Sequence, residues 1–153
     1  QILLIATEHL QSFDLIEQEF TEVVKAFERA ASVSNLQLVA ADATIRDLFD
    51  TGTQHAFREL WEIRLGQREG SLSGLGRPLL GGGLRFVMPN PNQDGKPNLE
   101  VKIESYLQDT TKIFVEATCV WGLPGPWLPD VPVRLDQLNS FVQNEVVRFI
   151  EGK

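Results

Sequence analysis

Residues Leu99–Trp121, LEVKIESYLQDTTKIFVEATCVW, carry the pattern that decides the fold. Apolar and polar residues alternate through two runs, 99–107 and 112–121, with the period of two that is typical of a β-strand with one dry face. The residues between them, 108–111, are polar and rich in turn formers. The stretch therefore predicts a long hairpin. Because an isolated hairpin is only marginally stable in water, other elements must cover its apolar face.

Three amphipathic helices can supply that cover, because apolar residues recur at spacings of three and four in the ranges 13–31, 53–65 and 134–150. Residues 84–88 read as a further strand. The predicted fold is a single α+β domain over residues 1–153, in which these helices back an antiparallel sheet built on the hairpin at about 99–121. The expected core consists of Phe20, Val23, Phe27, Val101, Ile103, Val115, Ala117, Leu138, Val142 and Phe149.

The remaining segments show weaker patterns. We expect short strands at 1–10 and 36–40, one or two helical turns at 43–49, the weakest order at 70–83 and an extended chain at 122–133. The many glycines of segment 70–83 leave its backbone few apolar side chains to anchor it. Segment 122–133 contains four prolines, which disfavour a helix.

Composition and charge narrow the class of protein. The formal net charge of −7 disfavours binding to nucleic acid, because an acidic chain repels phosphate backbones. The single cysteine, Cys119, excludes an internal disulfide and is expected to be a small buried hydrophobe. No apolar run approaches the length of a membrane span, and no signal-peptide pattern opens the chain, so we expect a cytoplasmic protein. The missing initiator Met indicates processing or a piece of a longer chain.

One group of residues could carry metal-dependent chemistry. Glu100 and Lys102 share a strand face in a Glu-x-Lys arrangement, and Asp94 is the nearest candidate for a further carboxylate. Metal-dependent nucleases use two acidic groups on a metal and a lysine near the attacking water. The alternative is a solvated strand face with alternating charges, which is common in sheets.

Other candidate motifs are incomplete. The Gly-rich stretch lacks the third glycine of a phosphate-binding GxGxxG loop and has no GK[ST], so a connection or a binding lid remains. His9 and His55 each lack a second metal ligand at useful spacing and are expected to be surface or hydrogen-bonded histidines. Trp127, flanked by prolines, either fills the edge of the core or forms an exposed recognition contact. No cofactor is assigned.

The second face of the predicted hairpin is not wholly polar. Tyr106, Phe114 and Val120 interrupt its charges and could gather into one patch ringed by Glu100, Lys102, Glu104 and Glu116. An aromatic centre with a charged rim is the usual composition of a protein interface. The alternative is that helix 53–65 covers this face through Phe57 and Trp61.

The order of elements resembles the C-terminal half of a sporadically distributed bacterial family of uncharacterised proteins. The matching segments are Leu84–Pro89, Lys112–Ala117 and the helix from Arg134, while Leu36–Ala41 stands where that family has an LRYIN-type strand. The resemblance implies no site residues, because the family has no established activity.

Two classes of function remain. The first is a binding or protein-interaction module with a protein partner or a second copy of itself, for which Tyr106, Phe114 and Trp127 are the binding candidates. The second is a metal-dependent hydrolase or nuclease-like enzyme that uses Asp94, Glu100 and Lys102. Calorimetry with Mg²⁺, Mn²⁺ or Zn²⁺ separates them, because the enzyme would require a bound metal.

Overall fold

The computed structural model describes residues 12–31, 37–38, 41–68, 70–90, 96–122 and 125–152; for 31, 37–38 and 125–130 it describes the backbone alone. Its elements, in chain order, are α1 (Phe13–Ala31), β1 (Gln37–Leu38), β2 (Ala41–Asp50), α2 (Ala56–Arg58) with a π-helical extension (Glu59–Arg64), a 3₁₀ turn (Ser71–Leu75), β3 (Gly83–Met88), β4 (Asn98–Ser105), β5 (Lys112–Trp121), β6 (Gly125–Pro126), α3 (Trp127–Phe141), a π-helical turn (Val142–Val146) and α4 (Val147–Glu151).

The centre of the fold is a four-stranded antiparallel sheet in the order β2-β5-β4-β3. The predicted hairpin forms its two central strands, β4 and β5, in a register that pairs Ile103 with Val115. β1 and β6 form a separate two-stranded ladder. The α+β class, with a four-stranded antiparallel sheet and helices, is confirmed.

The two faces of the sheet differ in character, as the alternation predicts. The face called inner here carries the buried side chains of β4 and β5, which include Val101, Ile103, Val115 and Ala117. Buried residues of α2, its π-helical extension and the C-terminal helical region complete the same core, and these are Ala56, Phe57, Leu60, Leu138, Val142, Val146 and Ile150. The opposite face is called outer. None of the helices in the described ranges is long and apolar enough to span a membrane.

The prediction of helical turns at 43–49 is wrong, because this range belongs to β2, the longest partner of β5. Ala41, Ala43 and Ile45 alternate toward the core, as a strand requires. The alternation breaks at Asp47, which lies on the inner side of the ladder opposite Val115 but is exposed. Because Asp47 interrupts the alternation, the sequence pattern does not indicate a strand here.

The predicted core is confirmed at six of its ten positions and corrected at three. Val101, Ile103, Val115, Ala117, Leu138 and Val142 are buried. Val23 and Phe27 are exposed, because α1 packs on α3 rather than on the sheet and buries Val24 instead. Phe149 is also exposed, although its ring meets that of Phe86 edge-on at 5.5 Å. Phe20 is half-buried.

The extended chain predicted at 122–133 is also wrong over much of its length. α3 begins at Trp127 and contains Pro132. A proline is tolerated in the first turn of a helix, where its missing N–H has no partner, but deeper in a helix it removes a hydrogen bond. α3 continues past Pro132 to Phe141 despite this cost, because contacts with α1 and β2 stabilise it.

The glycine-rich connection has several anchors in the structure. Trp61 Nε1 donates a hydrogen bond to Ser71 Oγ at 3.0 Å, and Leu72 packs against the core. At the other end, Ser105 N donates to Gly82 O at 2.8 Å. The weakest order at 70–83 stays a prediction, which slow amide exchange there would contradict. The strand predicted at 1–10 lies outside the described residues.

Candidate functional site

The outer face of the sheet carries an ordered row of charges across all four strands. Register places Arg46 opposite Glu116, Glu116 opposite Lys102, and Lys102 opposite Arg85. Glu116 accepts two hydrogen bonds at 2.6 Å, from Arg46 Nε to Oε2 and from Lys102 Nζ to Oε1. Arg85 Nη2 reaches Glu100 Oε2 at 2.7 Å. Each cation of this row therefore has a carboxylate beside it.

Hydrogen bonds within these ion pairs shift the pKa values of Glu116, Glu100 and Lys102 in the directions that favour their charged forms. The hydrogen bond from Lys102, followed by the one from Arg46, lowers the pKa of Glu116. The hydrogen bond from Arg85 lowers the pKa of Glu100. The pKa of Lys102 is raised, mainly by its hydrogen bond to Glu116. A lysine held as an ammonium ion is a poor general base.

The residues predicted to bind a metal are only partly brought together. Lys102 Nζ lies 3.8 Å from Glu100 Oε1 on the outer face, as their spacing predicts. Asp94 lies outside the described residues. Within the ranges that the structure describes, no cluster of three or more His, Cys, Asp or Glu side chains could hold a metal ion.

The cysteine and the histidine in the described part of the chain, Cys119 and His55, have structural roles. Cys119 is buried in the core, and burial raises the pKa of its thiol to about 11, so it stays protonated at neutral pH. His55 precedes α2, and its Nδ1 accepts a hydrogen bond from the backbone N–H of Arg58 at 3.4 Å. His9 lies outside the described residues.

The apolar residues predicted to form one outer patch are spread along the hairpin. Phe114 is opposite Leu48 and Glu104, while Val120 lies six positions further along β5. At about 3.3 Å per residue, roughly 20 Å separates the two. Tyr106 lies near the turn, where its hydroxyl donates to Gln108 Oε1 at 2.6 Å. The charged row and the Thr44–Thr118 pair lie between Phe114 and Val120.

The helix that could have covered this face packs on the other side of the sheet. Phe57 and Leu60 belong to the buried core on the inner face, and Trp61 packs against that core. Side chains such as Leu48 and Val87 remain exposed on the outer face. Trp127 begins α3 by its backbone, and its side chain lies outside the described part of the structure.

One edge of the sheet, β2, is protected by its own side chains. Thr51 N bonds to Thr111 O in line with the ladder, so the odd-numbered residues of β2 pair with β5 and the even-numbered ones face outward. The outward N–H of Leu48 donates to Asp47 Oδ1 at 2.8 Å. The inward-facing charge therefore occupies a group that another strand would need, a known means of blunting an edge.

Among the strands that the structure describes, none pairs with the other side of β3, and this margin is called the open edge here. Ser105 N bonds to Gly82 O, so the even-numbered residues of β3 pair with β4, and the backbone groups of Gly83, Arg85 and Val87 face away from it. Within the described part of the chain, no hydrogen bond reaches these backbone groups. Val87 is 64% exposed, and its neighbours Phe86 and Met88 are each 37% exposed.

Sequence reasoning recognised β3 as a strand but missed that it is an edge. The local signal is three consecutive apolar residues, Phe86 to Met88, in a strand with one charge. Its position at the margin depends on β2 lying at the other side of the hairpin, and β2 was read as helical turns. The open edge therefore could not be predicted from the sequence without recognising β2 as a strand.

Fold and site together define an α+β protein whose single main sheet has a protected edge, an open edge and a charged outer face. Comparison with protein-family models, with curated proteins and with solved structures finds no match. The resemblance to a bacterial family therefore stays a hypothesis.

Proposed function

We propose that this chain is a protein-interaction module that binds an extended segment of a protein along the free edge of β3. The observation that carries the proposal is the row of outward-facing backbone groups at Gly83, Arg85 and Val87. Recognition by strand addition uses such groups for affinity and pockets for alternate side chains for specificity.

The side chains around this edge suit an added strand. Phe86 and Met88 point to the inner face, where Val101 and Leu99 are their partners, yet both remain partly exposed. The ring of Phe149 borders Phe86. A strand placed beside β3 would put its own inward side chains against this incompletely covered margin of the core, which would remove apolar surface from water.

The charges favour a protein over a nucleic acid as the partner. Arg85, the cation on β3, is bound to Glu100, and Lys102 is bound to Glu116. Paired charges of both signs give no continuous positive field to attract phosphates, and the net charge of −7 opposes it.

Amide-resolved NMR tests the proposal. At low protein concentration, the amides of Arg85 and Val87 should exchange rapidly with solvent, while those of Leu84 and Phe86 should be protected by β4. Short peptides with alternating apolar residues should then shift the Arg85 and Val87 resonances, and proline-substituted versions of the same peptides should not.

Two results would contradict strand addition at β3. Slow exchange of Arg85 and Val87 in a dilute monomer would mean that the chain covers its own edge. Peptide-induced shifts at Phe114 and Val120, with β3 unchanged, would instead place the binding site on the outer face.

A further inference from the structure

We infer that the segment bound at this edge is β3 of a second copy, paired antiparallel about a two-fold axis through Phe86, an inference that rests on the proposed function. The two β3 strands would join two sheets into one continuous sheet. The outward-facing backbone groups of Arg85 and Val87 in each copy would then pair with those of Val87 and Arg85 in the other.

Only a few symmetric registers bring the outward-facing groups of β3 together, and their side chains distinguish them. Centring the axis on Arg85 would place two guanidinium groups directly opposite each other, which is unfavourable. Centring it on Val87 would pair Arg85 with Pro89, which has no N–H to donate. Centring it on Phe86 separates the two guanidinium groups and pairs Arg85 with Val87. Pro89 then falls opposite Gly83 at the strand end, where only one terminal hydrogen bond per strand end is lost.

In the Phe86-centred register, every cross-strand pair within 84–88 is compatible. Arg85 lies opposite Val87 of the second copy on the outer face. On the inner face, Leu84 lies opposite Met88 of the second copy, and the two Phe86 side chains face each other. In the ladder between the two copies, the two Phe86 residues form a non-hydrogen-bonded pair. Side chains approach most closely in such pairs, and aromatic pairs are stabilising there.

The protected edge cannot serve the same purpose equally well. On β2 the outward N–H of Leu48 is already bonded to Asp47. Asp42 and Asp50 give that strand three carboxylates against one cation, Arg46, so two β2 strands carry an excess of like charge. The difference between the edges selects β3 and predicts a closed dimer rather than an open array.

Charge substitutions at Val87 test the register. In Val87→Lys the new ammonium would lie opposite Arg85 of the second copy, so the dimerisation constant measured by analytical ultracentrifugation should fall about ten-fold or more, since the clash occurs twice. In Val87→Glu an opposite-charge pair forms at the same place, and the constant should stay within about three-fold of that of the natural chain.

Effects on folding run in the opposite order and can be separated from effects on association. Within one copy Val87 lies opposite Glu100, so the lysine variant gains an ion-pair partner and the glutamate variant gains a like-charge neighbour. A misfolded lysine variant therefore cannot explain a loss of dimer. Val120→Lys, on the outer face but away from the edge, is the matched control and should leave dimerisation unchanged.

A disulfide gives a second test that does not depend on affinity. Phe86→Cys should form a covalent dimer under mild oxidation, because its two copies face each other at about 4.5 Å between Cα atoms. Val87→Cys should not, since its copies are offset by two positions. Cys119 is buried and does not interfere.

Three outcomes would overturn the inference. One is a species of 17.2 kDa at every concentration tested, together with rapid exchange of Arg85 and Val87; this would leave the interaction module standing with a different partner. The second is equal weakening by both Val87 charge variants, which would exclude this register. The third is Val87→Cys crosslinking in place of Phe86→Cys.

Discussion

At the scale of single residues, Gly82 is held in close contact with the ring of Phe57. A Cβ at this position would meet Phe57 Cζ at 2.8 Å, and Phe57 is itself buried in the core. Gly82→Ala should therefore lower the free energy of unfolding by about 1–3 kcal/mol, as overpacking of a core does. Urea unfolding followed by tryptophan fluorescence measures the change.

Gly74 provides the matched control within the same glycine-rich connection. A Cβ there would have no atom within 4 Å, so Gly74→Ala should be neutral or stabilising by up to about 1 kcal/mol. Equal effects of the two substitutions would mean that Gly82 does not pack as described. The sequence alone cannot separate these glycines, because the difference lies in what each one touches.

Glu116 gives the outer face a dependence on pH. Its ion pairs with Lys102 and Arg46 lower its pKa below the usual 4.5, so its contribution to stability is present above that value. The contribution is lost as the pH falls through the lowered pKa. Glu116→Gln should therefore lose less stability than the natural chain between pH 7 and about pH 3, as measured by urea unfolding at each pH.

Glu104 is the matched control, since it lies one row away on the same face, is exposed, and makes no ion pair in the described part of the chain. Glu104→Gln should keep the acid sensitivity of the natural chain. An unchanged acid profile in Glu116→Gln would show that the ion pairs of Glu116 with Arg46 and Lys102 contribute nothing to folding.

At the scale of elements, regular alternation decided what could be predicted. β4 and β5 were recognisable because nearly every position obeys the period of two, and the burial of Ile103 and Val115 confirms the expected register. β2 was not, because Asp47 puts a charge where a core residue is expected. In physical terms, the residue that protects an edge is the residue that spoils the pattern of a strand.

Asp47 should accordingly control whether β2 can join another strand. Asp47→Ala removes both the inward charge and the acceptor of the Leu48 N–H, so the second edge becomes open. With two open edges, the sheet should extend beyond a closed pair, and dynamic light scattering should show larger particles that grow with concentration.

Asp42→Ala controls for the loss of a negative charge on the same strand, because Asp42 lies on the outer face and makes no backbone hydrogen bond within the described residues. It should leave the particle size unchanged. Growth in both variants would trace the effect to net charge, and growth in neither would mean that Asp47 does not protect the edge.

At the scale of the whole molecule, the buried helix residues join the core on the inner face of the sheet, and the described residues place no helix on the outer face. The sequence predicts a self-association surface on the outer face of the hairpin, and that stays a prediction. Alternation shows which residues share a face and says nothing about which strand lies at the margin. Assigning an edge requires the order of all four strands, and that order depends on long-range pairing.

Phe114→Glu distinguishes the two surfaces. Phe114 is half-buried on the outer face beside Leu48 and Glu104, some distance from the backbone groups of β3. If association occurs at the β3 edge, this variant should dimerise as the natural chain does, while Val87→Lys should not. Light scattering at micromolar concentration, with unfolding measured in parallel, gives both quantities. A dimer split by Phe114→Glu with its fold intact would make the outer face the interface. A monomer destabilised by several kcal/mol would instead make Phe114 part of the core.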